Sequence, residues 1–269
     1  MKYIKGRTNL SATIFVPYDC DNNCPFCTSK KDYKDYSNFN LDEILNKINK
    51  LNKNPIIQEY VITGGEPFAN IDGLVRILNA CKKPVYINTT LPIKTVKESI
   101  KIINNYSIIN GINISRHIGF EFKNVASLDD IDKIKKPIRI NTVMNDNFDF
   151  DNFFNFVNKY GKKKRDINLR ADYTKIDISS LKSRDYVFYN LATVYDYICT
   201  ESCIVCNTEY FSVNDKFLVS YHRGMEHSCV CVGDKYYVND ILIKQDGNIY
   251  KDWNCIEDKE FEKWILMEE

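Results

Sequence analysis

Three cysteines fall within eight residues near the start of the chain: Cys20, Cys24 and Cys27 form C-x3-C-x2-C in the polar stretch YDCDNNCPFCTSK. Thiolates at this spacing can meet one iron–sulfur cluster from a single loop, and a four-iron cube has four corners. Three protein ligands leave one iron open, and an open coordination position separates a reactive metal site from a closed structural one. A zinc knuckle with a fourth ligand elsewhere is the competing reading, although structural zinc motifs favour paired C-x2-C units in small modules. A second constellation, Gly64-Gly65-Glu66-Pro67, follows a β-type run. Its glycines let backbone approach a ligand closely, so bare carbonyl and N–H groups can hold an amino group. Glu66 offers a carboxylate to the same cation, and Pro67 fixes the turn.

Such loops need a scaffold that presents them on one side. SATIFV (11–16) reads as a strand leading into the cysteine loop, and NLDEILNKINKL (40–51) as a helix with Asn40 as N-cap. IIQEYVIT then IDGLVRILNAC, PVYINTT then IKTVKESIKIINNY, INGINIS then SLDDIDKIKK, and IRINTV then FDNFFNFVNKYG repeat the alternation; INLRADY is a sixth strand. A helical stretch with Val187, Leu191, Val194 and Ile198 on one side follows. Six alternations predict an α/β fold, a partial (β/α)6 TIM-type barrel, with parallel strands and right-handed crossovers. Chemistry in such a fold sits at the carboxyl ends of the strands. The cysteine loop, GGEP, NTT and SRH all fall there.

After about residue 198 the pattern changes to hairpins turning at Asn214-Asp215 and Asp246-Gly247, followed by a closing helix in DKEFEKWILM. Six of the ten cysteines lie in this tail: Cys199, Cys203, Cys206, Cys229, Cys231 and Cys255. The sequence therefore divides into a barrel, 1–198, and a small C-terminal cysteine-rich β-hairpin module, 199–269.

The remaining composition is that of a globular protein. Of 269 residues, 44% are apolar and 27% charged, and the net charge is +1, which gives no excess of basic residues for nucleic acid or an acidic membrane surface. No apolar run reaches about 18 residues and no secretory signal opens the chain, so the expected location is the cytoplasm, where clustered cysteines serve metal or redox chemistry. Cys81 reads as a small buried hydrophobe, the three histidines as surface or hydrogen-bonded, and GKKKRD (161–166) as a solvated turn.

Together the three-cysteine loop, with an aromatic residue before its last cysteine, and GGEP after the second strand resemble the radical S-adenosylmethionine (SAM) superfamily over roughly residues 10–200. The resemblance implies an enzyme. Cys20, Cys24 and Cys27 would hold a [4Fe–4S] cluster whose open iron is chelated by SAM, and reduction would cleave SAM to a 5′-deoxyadenosyl radical that abstracts hydrogen from a substrate. Gly64, Gly65, Glu66 and Pro67 would bind the methionine amine. Asn88, Ser115, Arg116, Asn141 and Arg170 are candidates for its ribose and carboxylate, with Arg116 and Arg170 equally open to a role in bracing loops. A flavodoxin- or ferredoxin-like protein would donate the electron.

The tail resembles the family's auxiliary-cluster (Twitch- or SPASM-like) modules, in which a cysteine, a strand, an Asp-Gly turn, a strand and another cysteine clamp a second iron–sulfur cluster. Cys203, Cys206, Cys231 and Cys255 are the favoured ligands; a zinc site or free thiols are the alternatives. The tail departs from the full seven-cysteine motif of the peptide-modifying branch and from the spacing of the molybdenum-cofactor cyclase tail. Auxiliary modules of this type suggest a peptide or ribosomally made precursor as substrate. The expectation that no separate leader-binding domain precedes the barrel weighs toward a small molecule or nucleotide. A non-catalytic, metal-binding regulatory protein is the reading from another class.

Overall fold

In the computed structural model the described residues are 2–7, 9–30, 38–146, 148–172, 179–202, 207–222 and 228–268, with the side chains of 179–184, 202 and 207 left aside. In chain order the elements are β1 (Tyr3–Lys5), β2 (Leu10–Val16), α1 (Leu41–Leu51), β3 (Ile57–Gly64), α2 (Ile71–Ala80), β4 (Val85–Thr89), α3 (Val96–Asn105), β5 (Ile109–Ser115), α4 (Leu128–Ile131), β6 (Ile138–Met144) and α5 (Phe150–Tyr160). They continue as β7 (Arg165–Ala171), α6 (Ser179–Ala192), β8 (Asp196–Ser202), β9 (Asn207–Val213), β10 (Phe217–His222), β11 (Cys229–Val232), β12 (Lys235–Val238), β13 (Asp240–Ile243), β14 (Ile249–Tyr250) and α7 (Lys259–Leu266).

The six strands expected from the alternation form one open parallel sheet, β2-β3-β4-β5-β6-β7, the scaffold of a partial barrel. Two further parallel strands come from the tail. β10 pairs with β7, and β13 pairs with β2, so the parallel run is flanked on both sides by chain that follows residue 198. The hairpin partners β9 and β14 then add antiparallel, with β8 outermost beyond β9. β1, β12 and β11 make a separate small sheet. Both expected hairpins form, with Asn214 and Asp215 at positive φ in one turn and Gly247 in the other.

Local chemistry explains the element ends. Asn40, Asn70 and Asp149 cap α1, α2 and α5 by accepting from the amides of Glu43, Gly73 and Asn152. α4 is shorter than SLDDIDKIKK suggests. Asn104 donates to the Lys133 carbonyl and accepts from the Lys135 amide, which holds that stretch open, and Pro137 disfavours helix just before it. α6 also ends early. The amides of Val194 and Tyr195 both close onto the Leu191 carbonyl, and the β-branched and aromatic run that follows pairs with β9. Val187 and Leu191 are buried as expected, whereas Val194 and Ile198 are exposed, Ile198 inside β8.

The sheet has two unlike faces. Leu10, Ala12, Ile14 and Val16 of β2 join the main core with helix residues such as Ile44, Ile48, Leu74 and Ile77. Phe15, on the other face, packs instead with Leu242 and Tyr250. That second face carries Asn88, Asn113, Ser115, Asn141 and Asn168, alternating with the buried isoleucines of their strands. A polar face inside an apolar shell is the surface a barrel keeps for ligands.

Candidate functional site

The cysteine loop leaves the carboxyl end of β2, and Cys20, Cys24 and Cys27 are each partly buried. The Cys27 amide donates to the Cys24 carbonyl at 3.2 Å, a turn that draws the last two thiols together. Burial, reinforced by the Glu66 carboxylate and Cys27, pushes Cys20 up to about 11, although hydrogen bonding at Asn22 opposes it. Burial followed by Cys27 and Cys20 pushes Cys24 up to about 12. Cys20 and Cys24, poorly solvated, need a cation to stay ionised. Among the described residues no three His, Cys, Asp or Glu side chains converge on a single ion. A polynuclear cluster binds each thiolate at a separate iron, so the soft, thiol-only donor set fits it.

Neighbouring elements fix this loop from two sides. Phe26, the aromatic residue before Cys27, stacks edge-on against His117 at 4.6 Å and Phe120 at 5.8 Å, within the segment after β5. His117 accepts from the Val143 amide through Nδ1, and burial with the adjacent Arg116 pushes it down to about 3, so it packs as a neutral ring. Asn22 accepts from the Lys123 amide at 3.0 Å. On the other side Tyr18 lies against α2. A Cβ on Gly73 would sit 1.9 Å from the Tyr18 hydroxyl, so that helix start has room for the ring only because residue 73 is glycine.

The GGEP loop is stitched to the same place. Gly65 donates to the Val16 carbonyl at 2.9 Å and Glu66 to the Tyr18 carbonyl at 2.8 Å. Gly64 has φ of +122°, and a Cβ there would fall 2.1 Å from the Val16 oxygen, so any side chain forces β2 and β3 apart. Pro67 starts a 3-10 turn, Pro67–Ala69, that Glu66 caps. The Glu66 side chain is only 1% exposed. Its Oε1 accepts from the Phe68 amide at 3.0 Å and the Thr89 hydroxyl at 2.6 Å; its Oε2 accepts from the Thr90 amide at 2.6 Å and hydroxyl at 2.7 Å. A carboxylate offers about four acceptor positions. All are filled by the protein, which leaves the Glu66 side chain no acceptor position for a further donor. Burial raises the Glu66 carboxyl against the pull of these four donors.

The polar candidates from the later strands fall into two sets. Asn88 accepts from Asn113 at 2.7 Å, and separately Asn141 accepts from Asn168 at 2.9 Å while Ser220 of β10 donates to Asn168 at 3.0 Å, two amide groups on the polar face. Ser115 stands in register with Asn141, and Arg170 stands between Val143 and His222 at the same end of the sheet. Arg116 belongs to the loops. It is 5% exposed and donates to the carbonyls of Thr90, Ser115 and Ala126, with Phe122 beneath its guanidinium. The Glu66–Thr90–Arg116 chain therefore ties the carboxyl ends of β3, β4 and β5. Thr89 and Thr90 were visible only as polar residues after a strand, with nothing to mark them as Glu66 partners.

Of the tail cysteines that are described, Cys199 is exposed on β8 and Cys229 is half-buried on β11, close enough to Cys231 for the two thiols to interact. Cys231 is exposed on β11 and Cys255, at positive φ, packs beside Phe15, Leu242 and Tyr250. Cys203 and Cys206 lie outside the described residues, as does His227. Cys81 is 5% exposed and pushed up to about 12 by burial, in keeping with a packing role. In GKKKRD the three lysines are exposed, but Arg165 is buried against Asp132 and the Tyr160 carbonyl, so it is structural and not part of a solvated turn. Among the described residues no helix is long and apolar enough to cross a membrane.

Comparison with solved structures finds the same architecture in Streptococcus suis SuiB. SuiB bound to precursor peptide SuiA superposes with a TM-score of 0.65 at 18% identity, covering 96% of this chain and 64% of SuiB. SuiB without it gives 0.58 at 18% identity over 96% and 65%, and SuiB bound to S-adenosylmethionine gives 0.50 at 19% over 69% and 45%. The chain thus spans a little under two thirds of the SuiB length, and at this identity the likeness is one of fold. No curated protein sequence matches it. The profile of the radical SAM superfamily matches residues 14–167, more than half of the chain, and includes both the cysteine loop and GGEP. The chain belongs to the radical SAM superfamily.

Proposed function

We propose that the protein is a radical SAM enzyme that modifies a peptide. The observation that carries the reading is the junction of the two motifs: the amides of Gly65 and Glu66 are bonded to Val16 and Tyr18, the residues that lead into Cys20. A ligand held by the Gly64–Glu66 backbone therefore lies beside the cysteine loop. Cys20, Cys24 and Cys27 would hold a [4Fe–4S] cluster, which supplies the electron that cleaves SAM reductively and starts hydrogen abstraction. The chain's own part is placement: the Glu66 brace shapes the amine-binding carbonyls, and the Asn88–Asn113 and Asn141–Asn168–Ser220 groups present donors and acceptors to ribose, carboxylate or substrate. The Phe26–His117–Phe120 group keeps water from one flank of the cysteine loop.

A peptide substrate is favoured by the fold shared with SuiB, whose structure was determined with its precursor peptide. The tail cysteines Cys203, Cys206, Cys231 and Cys255 would serve a second iron–sulfur cluster, with a small electron-transfer protein as donor in the cytoplasm. The test is anaerobic reconstitution of the wild type and of a Cys24→Ala/Cys27→Ala variant. The wild type should bind iron and acid-labile sulfide and release 5′-deoxyadenosine from SAM under reduction. Retained SAM cleavage in the variant, or a wild type holding zinc without sulfide, would refute the proposal, and zinc would favour a regulatory metal-binding protein.

A further inference from the structure

β8 is the outermost strand of the large sheet. It pairs with β9 on one side, and among the described residues no strand pairs with the other. Asp196 through Glu201 are all exposed. An open edge of this kind templates pairing with another chain, and proteins usually blunt it with lysine, proline or a bulge. β8 has neither lysine nor proline. Its register shift at Ile198 leaves Cys199–Ser202 as regular strand with a free edge.

Beside it lies an unusual surface. Tyr189 of α6, Val194, Tyr197 and Ile198 are about half exposed or more, from 47% to 65%, and Phe188 carries both Tyr189 and Tyr197 at 5.6 Å, with Phe211 at 5.8 Å from Tyr197. Rigid tyrosines around an open edge are suited to contact. The exposed charges on the strand and the stretch leading to it are acidic: residues 185–202 contain Asp185, Asp196 and Glu201 but no Lys, Arg or His. Asp196 and Glu201 bracket the strand.

We propose that the free edge of β8 docks an extended, basic segment of the peptide substrate, which adds to the sheet as a further strand. Backbone hydrogen bonds would supply affinity, and the tyrosines and bracketing acids would select for lysine or arginine at alternate positions. The inference rests on the peptide reading above and names the chemistry of that peptide.

The probe is a fluorescein-labelled peptide alternating lysine with valine or threonine, titrated by anisotropy into the full chain. Two controls accompany it: the same sequence with glutamate for lysine, and the lysine peptide N-methylated at alternate residues. The lysine peptide should bind, the other two at least about tenfold more weakly, a difference of about 1.4 kcal/mol. Hydrogen exchange should slow at the amides of 196–202 when the peptide is bound. An Asp196→Lys/Glu201→Lys variant should lose the binding while cleaving SAM at the wild-type rate. If that variant misfolds, the N-methylated peptide on the wild type still decides the matter. Equal binding of either control, no binding of the lysine peptide, no slowing of exchange in β8, or a dimer joined through β8 overturns the docking proposal. Loss of SAM cleavage in the wild type would instead overturn the enzymatic reading.

Discussion

Replacing Glu66 by glutamine tests whether this residue braces the loop proposed to bind the amine or touches the ligand itself. The carboxylate accepts two backbone amides, from Phe68 and Thr90, and two hydroxyls, from Thr89 and Thr90. Glutamine must turn an NH2 toward one pair. The Thr90 hydroxyl can rotate to accept from it, but Thr89 already accepts from the Leu91 amide at 2.7 Å, so the NH2 is best placed toward Thr90. The Thr90 amide then loses its acceptor. A buried donor left without a partner costs roughly 1–3 kcal/mol, and the bonds that remain are no longer charge-assisted. Relief of the buried charge offsets part of this. A net loss of about 2 kcal/mol corresponds to a fall in melting temperature of about 4–8 °C for a chain of this size. The assay is a thermal melt of cluster-free protein beside equilibrium binding of SAM to reconstituted protein. Thr90→Val, which removes only the hydroxyl, should weaken SAM binding in the same direction although Thr90 need not touch SAM. A Glu66→Gln protein that melts with the wild type but no longer binds SAM, while Thr90→Val binds normally, would refute the brace and make Glu66 a direct ligand.

Gly64→Ala should cost more than about 3 kcal/mol, because the new Cβ meets the Val16 oxygen and the backbone is at positive φ; the measurement is the urea midpoint, and a shift below about 1 kcal/mol would count against the close approach. The Asp258 carboxyl caps α7 and is pushed up by burial, but hydrogen bonds from Lys251, Tyr3 and the Phe261 amide outweigh that and hold it at about 2. Because its folded value lies below the unfolded 3.8, its contribution of about 2 kcal/mol is complete above about pH 4 and fades as the pH falls through 2. Asp258→Asn should therefore destabilise the protein at pH 6 and converge with the wild type near pH 2; an equal deficit at both would show that the ion pair is not the source.

The parallel core of the fold was legible because each βα unit is a local pattern. Period-2 and period-3.6 runs alternate six times, and Asn40, Asn70 and Asp149 mark helix starts where a capping residue precedes an apolar face. Local patterns fail where a distant partner decides. The sequence from Val194 to Ile198 continues the helical spacing of Val187 and Leu191, yet β9 offers backbone pairing that a lone helix end cannot match. SLDDIDKIKK has the composition of a helix, but the Asn104 side chain reaches it from the end of α3. In the site, the cysteine spacing and GGEP carry their chemistry in residue type, so they stand out. The Glu66 partners do not, since a threonine after a strand looks the same whether it faces water or a buried carboxylate. Nor does a sequence show that a carboxylate at a ligand loop has spent all its acceptor positions internally.

The placement of β10 and β13 bears on whether residues 1–198 form a domain. Both strands lie in the parallel run itself, one against β7 and one against β2, so cutting the chain at 198 would bare both edges of the barrel sheet. The loss of packing is large as well. Phe211, Val213, Val219, Tyr221, Val238, Ile241, Ile243, Ile249, Phe261, Ile265 and Leu266 are buried in the same core as the barrel helices. At about 1.5–3 kcal/mol for each buried side chain, these residues contribute on the order of 20 kcal/mol of gross apolar stabilisation, more than the roughly 5–15 kcal/mol net stability of a typical domain. Shedding the tail also sheds its ordering entropy, so the two do not subtract directly, but the side chains left behind on β2, β7, α1 and α5 lose partners with nothing in return. A 1–198 fragment should consequently lack a cooperative urea transition and bind an exposed-apolar-surface dye, even though it carries every residue of the cysteine and GGEP loops. A fragment that unfolds cooperatively and still assembles the N-terminal cluster would show that the barrel is self-sufficient and that β10 and β13 are additions to it, not walls of it.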